Sequence, residues 1–131
     1  MSIELWSIAA LALMMLLVTF VQGGLVPATQ GLKWGLGSRD EPLEKSAIQG
    51  RFARTVQNHA EAMLMFVPLM ALVVYLGQEN EWTAVAAWLV IIGRAIFIPC
   101  YILGVFGLRS VGYGIALTGV FITAWQLLHG G

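Results

Sequence analysis

Charged residues in this 131-residue chain are gathered into a few stretches, leaving four long apolar runs, and that spacing constrains the fold more than any other feature. Crossing a bilayer takes about 20 predominantly apolar residues as a helix, and only helices or closed barrels satisfy every backbone N–H and C=O in hydrocarbon. The first run covers 5–22, broken by Ser7 and Thr19, and fades through Gly23, Gly24 and Pro27. The second, 62–76, is short, but becomes long enough if its helix begins near Ala47 and carries Arg51 to Glu61 inward. The third covers 82–105, interrupted by Arg94 and Pro99, and the fourth covers 111–128. The expected fold is all-α, an integral membrane four-helix bundle in one domain over 1–131, with spans of about 5–26, 47–77, 82–105 and 110–128. The polar stretch 33–57 reads as a loop ending near Leu43 and leading into the second helix, while 77–81 and 106–110 read as turns.

Composition excludes several classes of function. Only 11% of residues are charged and 59% are hydrophobic, against about 25% charged in soluble domains. Seven Lys and Arg balance seven Asp and Glu, so no basic field for a nucleic-acid partner exists. Cys100 is the one cysteine, which rules out an internal disulfide or a multi-cysteine metal site, and inside an apolar run it reads as an inert core residue. No Lys or Arg precedes Lys33, so the first run lacks the positive start of a signal peptide and is expected to stay in the mature protein. Lys33, Arg39, Lys45, Arg51, Arg54, Arg94 and Arg109 all lie in or near the first and third connections. Positive residues concentrate on the cytoplasmic side, so those connections are expected there and both termini outside. Trp6, Trp34, Trp82, Trp88 and Trp125, with His129, fall mostly near span ends and read as interfacial anchors. Pro68 and Pro99 read as kinks.

Ionisable groups inside a span point to function, because each costs about 2.5 to 3.5 kcal/mol at the membrane centre even on a lenient scale. Arg51, Arg54, Asn58 and Glu61 are spaced i, i+3, i+7 and i+10. At about 100° per residue they fall within roughly 80° of one another, forming a polar ridge that must face protein or a hydrated cavity. His59 lies well off this ridge and is not read as a catalytic base. Two readings follow from the residues alone. Arg54 and Glu61 can pair with other helices and specify packing. Alternatively, the ridge binds a small zwitterionic or anionic solute, arginine forks gripping carboxylates and Glu61 receiving an ammonium. Arg94, Phe97 and Tyr101 repeat the i, i+3, i+7 spacing on the third span, and Arg109-Ser110 stands at the start of the fourth.

Arg39-Asp40-Glu41-Pro42, followed by Arg51-Phe52-Ala53-Arg54-Thr55-Val56-Gln57-Asn58-His59-Ala60-Glu61, resembles the signature of the MAPEG family, the membrane-associated proteins of eicosanoid and glutathione metabolism. Its specific part is the Arg-x-x-Arg-x-x-x-Asn-x-x-Glu spacing. The resemblance, to bacterial-type members, implies a homotrimer in the inner membrane with glutathione as co-substrate between neighbouring subunits, and no metal. It implies that Arg54, Asn58 and Glu61 bind glutathione, with Arg51, Arg94, Tyr101 and Tyr113 as further binding candidates. Arg109 and Ser110 match the start of the fourth span in the prostaglandin E synthase branch and become the catalytic candidates. A guanidinium beside a thiol favours the nucleophilic thiolate. The implied activity is glutathione transfer to a small apolar electrophile, or reduction of a lipid hydroperoxide, with the second substrate arriving from membrane lipid. Phe97 stands where other branches often carry tyrosine or histidine, and no arginine precedes Lys33, although several relatives carry one near the end of the first span. These departures favour one alternative, a non-enzymatic binding or scaffold protein of the same fold. A small multidrug exporter using Glu61 as its proton-coupling carboxylate is a second, disfavoured because arginines on the same stripe repel a cationic drug.

Overall fold

The structure is a computed structural model that describes residues 1–38, 40 and 46–130. Arg39, Glu41, Pro42 and Lys45, the expected loop end near Leu43, and the side chain of Trp34 therefore lie outside the described residues. Five helices follow in order: α1 (Ile3–Gln30), α2 (Leu32–Leu36), α3 (Ala47–Tyr75), α4 (Glu81–Ile102) and α5 (Leu108–His129). Four of them, all but α2, are long and apolar enough to cross a membrane, and no strand occurs among the described residues.

Helix ends follow local chemistry. The Ser46 hydroxyl accepts from the Gln49 N–H, and the Gln49 side chain accepts from the Ser46 N–H. This reciprocal cap starts α3 at Ala47, early enough to carry the polar ridge. Asn80 and Thr83 cap α4 in the same way. Helices α3 and α4 each end in a left-handed glycine, Gly77 at φ 66° and Gly104 at φ 72°. Gln78 N–H reaches back to Val73 C=O at 2.9 Å, and Val105 N–H to Cys100 C=O at 2.8 Å, the pattern that satisfies a helix's last carbonyls. Helix α4 therefore stops at Ile102, short of the expected 105, and α5 begins at Leu108, so Arg109 and Ser110 stand in its first turn. The first helix does not fade at its glycines but continues to Gln30, and α2 occupies part of the stretch read as loop. Helices α3 and α4 run through Pro68 and Pro99.

Helices α4 and α5 form the closest pair, because small residues line their contact. A Cβ added at Gly93 would lie 2.5 Å from the Ala116 nitrogen, and one at Gly119 would lie 2.7 Å from the Ala86 carbonyl oxygen. Such stripes let helix backbones approach where no hydrophobic drive operates between lipid-solvated helices. The apolar core is Leu11, Phe66, Met70, Val73, Ala86, Ala87 and Val90, with a smaller cluster of Val18, Phe97 and Ile98 toward the other end of the bundle. Large apolar side chains also face outward, among them Leu16, Phe20 and Phe121, as expected of a bundle solvated by lipid or by further subunits.

Near the α1 N-terminus, Glu4 is buried, and the Thr83 hydroxyl donates to its Oε1 at 2.7 Å. Trp6, Trp82, Trp88 and Trp125 are exposed, and the His129 ring stacks on Trp125 with centroids 4.0 Å apart. Cys100 is half-buried, which corrects its reading as a core residue; α4 turns it only partly inward.

Candidate functional site

One long helix builds most of the site. Arg54, Gln57, Asn58 and Glu61 project from the same side of α3 and, with Ala53 and Tyr101 of α4, line a groove of about 350 Å³. Arg54 and Glu61 are exposed and Asn58 is half-buried, so two opposite charges sit on a helix face that would otherwise meet lipid. Arg54 Nε donates to the Tyr101 hydroxyl at 3.0 Å. Gln57 Nε2 donates to Glu61 Oε1 at 3.1 Å.

Tyr101 gathers a second guanidinium. Arg109 lies 4.8 Å from the centroid of its ring, and Arg54 lies 5.9 Å from it. The short turn through Gly104 and Gly107, both at positive φ, folds the first residues of α5 back against the end of α4 and delivers Arg109 there. Ser110 follows it, exposed, its N–H donating to the Gly107 carbonyl at 3.0 Å.

Three other candidates sit elsewhere. Arg51 does not line the groove; its guanidinium points at the α4–α5 turn, with Nη1 3.1 Å from where a Gly104 Cβ would stand. Arg94 is fully buried behind Asn58. Its Nη1 donates to Asn58 Oδ1 at 2.8 Å, its Nε to His59 Nδ1 at 3.1 Å, and its guanidinium stacks over Phe97 at 4.3 Å. Tyr113, 40% exposed, faces a small space of about 10 Å³ shared with Arg94, and its ring centroid is 6.2 Å from that of Phe97. Phe97, a departure in the sequence, thus covers the Arg94 guanidinium with a ring face.

Two residues that the sequence reading passed over belong here. Gln57 is uncharged, yet its place three residues after Arg54 and four before Glu61 put it on the ridge by spacing alone. His59 lies off the ridge as expected, and it is fully buried, with Nε2 2.9 Å from the Leu11 carbonyl of α1. No spacing within α3 could have revealed a partner on α1. A larger groove of about 530 Å³, lined by apolar residues of α1, α3 and α4 such as Leu17, Phe52 and Ile102, presents no charged side chain and therefore no chemistry. No cluster of metal-ligating side chains occurs among the described residues.

The groove can therefore hold a small polar molecule with charges of both signs, beside an arginine-rich corner able to stabilise a third, negative centre. Neither a curated protein nor a solved structure matches the chain. A sequence profile of the MAPEG family matches residues 5–129. That match runs from the first helix through the last, takes in the polar groove, and shows that the chain belongs to the MAPEG family.

Proposed function

We propose that this protein is a membrane-bound, glutathione-dependent transferase or peroxidase acting on apolar electrophiles or lipid hydroperoxides. The observation that carries this reading is the groove with the Arg54 guanidinium at one end and the Glu61 carboxylate at the other. Seven residues of helix separate the two by about 10 Å. Glutathione is an extended tripeptide with two carboxylates and one ammonium, which suits this polarity. Arg54 forks a carboxylate, Glu61 receives the ammonium, and Asn58 lies between them.

The thiol has a solution pKa near 8.5 and is mostly protonated at neutral pH. Arg109, held on the Tyr101 ring, favours the thiolate, and Ser110 adds a hydrogen bond to sulfur. In conjugation the thiolate forms a C–S bond and the electrophile releases its leaving group or takes a proton. In hydroperoxide reduction two thiols become one disulfide while the peroxide yields an alcohol and water. Family membership supports this chemistry at the level of membrane, glutathione-related activity.

MAPEG proteins are typically trimeric, and a homotrimer would cover the ridge between subunits. We place it in a bacterial inner membrane, and the distribution of Lys and Arg supports an orientation with both termini outside and the first and third connections cytoplasmic. The apolar substrate then arrives laterally from lipid.

Equilibrium binding of glutathione to purified wild-type, Glu61→Gln and Arg54→Ala protein, with thiolate followed by ultraviolet absorbance, tests the reading. Saturable binding with thiolate at neutral pH, lost in both variants, is expected, and Arg109→Ala should retain binding while losing the thiolate signal and conjugation. A folded wild-type oligomer that binds no glutathione would overturn the proposal and leave the ridge to subunit packing.

A further inference from the structure

Arg94 is a cation with no exposed surface, so in this arrangement it cannot itself grip a ligand in the groove. Its contacts nevertheless reach the groove wall through one side chain. Arginine has five donors and no acceptor, so every atom facing it must accept. The Asn58 atom at 2.8 Å from Nη1 is therefore the amide oxygen, and the Asn58 NH2 group is left for the groove that Asn58 lines. The same rule settles His59. Its Nδ1, 3.1 Å from Arg94 Nε, must be the bare nitrogen, so the proton sits on Nε2 and is donated to the Leu11 carbonyl at 2.9 Å. A chain of oriented hydrogen bonds thus runs from the α1 backbone through His59 and Arg94 to Asn58. Each link accepts only one orientation of the next.

We infer that His59 and Arg94 are positioning residues that set the polarity of the groove, turning Asn58 into a hydrogen-bond donor that selects a carboxylate on the bound ligand. Resting on the glutathione reading above, this assigns the partner of Asn58 as the α-carboxylate of the γ-glutamyl group, whose ammonium, on the same carbon, meets Glu61 one turn further along α3. Gln57 supports the opposite pole: one N–H of its amide is given to Glu61 Oε1, and its own oxygen and the second oxygen of Glu61 remain as acceptors. Donors gather at Arg54 and Asn58, and the Glu61 carboxylate, held by Gln57, forms the acceptor pole. Without the relay Asn58 could present either end of its amide, and a carboxylate and its neutral amide would be bound alike.

The experiment compares two probes by calorimetric titration of the full-length oligomer in detergent. One is glutathione, the other the same tripeptide with its γ-glutamyl α-carboxylate converted to a carboxamide. Wild type should prefer glutathione by about 10- to 100-fold, the worth of hydrogen bonds to a charged group. Arg94→Met, which removes the group that orients Asn58, should shrink that preference to about threefold or less by weakening glutathione alone, since the carboxamide does not depend on the donor. A purely structural defect would weaken both probes equally and overturn the proposal. Asn58→Asp guards against misfolding, because it still accepts from Arg94 but presents a second acceptor to the groove; it should reverse the preference in favour of the carboxamide. A preference retained in either variant refutes the relay while leaving the glutathione reading intact. Wild type that binds neither probe overturns both.

Discussion

Replacing Gly93 by alanine tests the closest approach in the bundle. The new Cβ would stand 2.5 Å from the Ala116 nitrogen, 2.6 Å from the Gly112 carbonyl oxygen and 2.8 Å from the Ala116 Cβ. Contacts of carbon with heavy atoms normally settle near 3.5 to 4.0 Å, so α4 and α5 must part by about 1 Å. Two of the three obstructing atoms are backbone and cannot rotate aside. Overpacking of this kind costs about 1 to 3 kcal/mol, and rigid obstruction argues for the upper half. Alanine's better helix propensity returns about 0.8 to 1.0 kcal/mol. The net loss should be about 1 to 2 kcal/mol. Gly114, on the same helix pair, has nothing within 4 Å of its added Cβ, so Gly114→Ala keeps the propensity gain without the clash. The gap between the two variants, about 2 to 3 kcal/mol, isolates the steric term. Unfolding with sodium dodecyl sulfate from dodecyl maltoside micelles, followed by tryptophan fluorescence, measures it. Equal stability of the two variants would refute the close α4–α5 contact.

Two further outcomes are expected. Tyr101→Phe removes the acceptor of Arg54 Nε but keeps the ring under Arg109; glutathione affinity should fall by about two- to tenfold, as for one neutral hydrogen bond, with the thiolate signal of bound ligand preserved. Loss of that signal in Tyr101→Phe would mean that the hydroxyl, and not the ring, holds Arg109 in place. Thr83→Val strips the buried Glu4 carboxylate of its donor and removes half of the α4 cap; a loss of about 1 to 3 kcal/mol in the same unfolding assay is expected, and an unchanged midpoint would show that the contact contributes nothing.

Much was legible in the sequence because lipid imposes a simple code. A chain that must satisfy its backbone in hydrocarbon has few choices, so the long apolar runs become helices. The ridge of Arg54, Asn58 and Glu61 was legible for the same reason, since an i, i+4, i+7 spacing fixes a common face once the segment is helical. Even the start of α3 near Ala47 follows from what the second run lacked in length. Helix ends were less legible. Gly23 and Gly24 read as a stop, yet glycine inside a helix costs only about 1 kcal/mol against alanine, and α1 continues to Gln30. The stripe Gly112, Ala116 and Gly119, spaced i, i+4 and i+7, was visible in the sequence but says only that something packs closely there, not that α4 does.

Sequence alone determined that this chain is a four-span membrane protein of the MAPEG family and which face of its second span is polar, because both depend on spacing along one helix. Tertiary structure decided which of the arginines reach that face. Arg51 turns to the α4–α5 turn, Arg94 is fully buried, and Arg109 comes to Tyr101 across a glycine-built reversal. It also decided that His59 links α1 to α4. Apart from the Arg109–Tyr101 contact, which the turn between α4 and α5 makes, these outcomes depend on contacts between residues 35 or more positions apart, where helical periodicity carries no information and only the packing of one helix against another sets the distance.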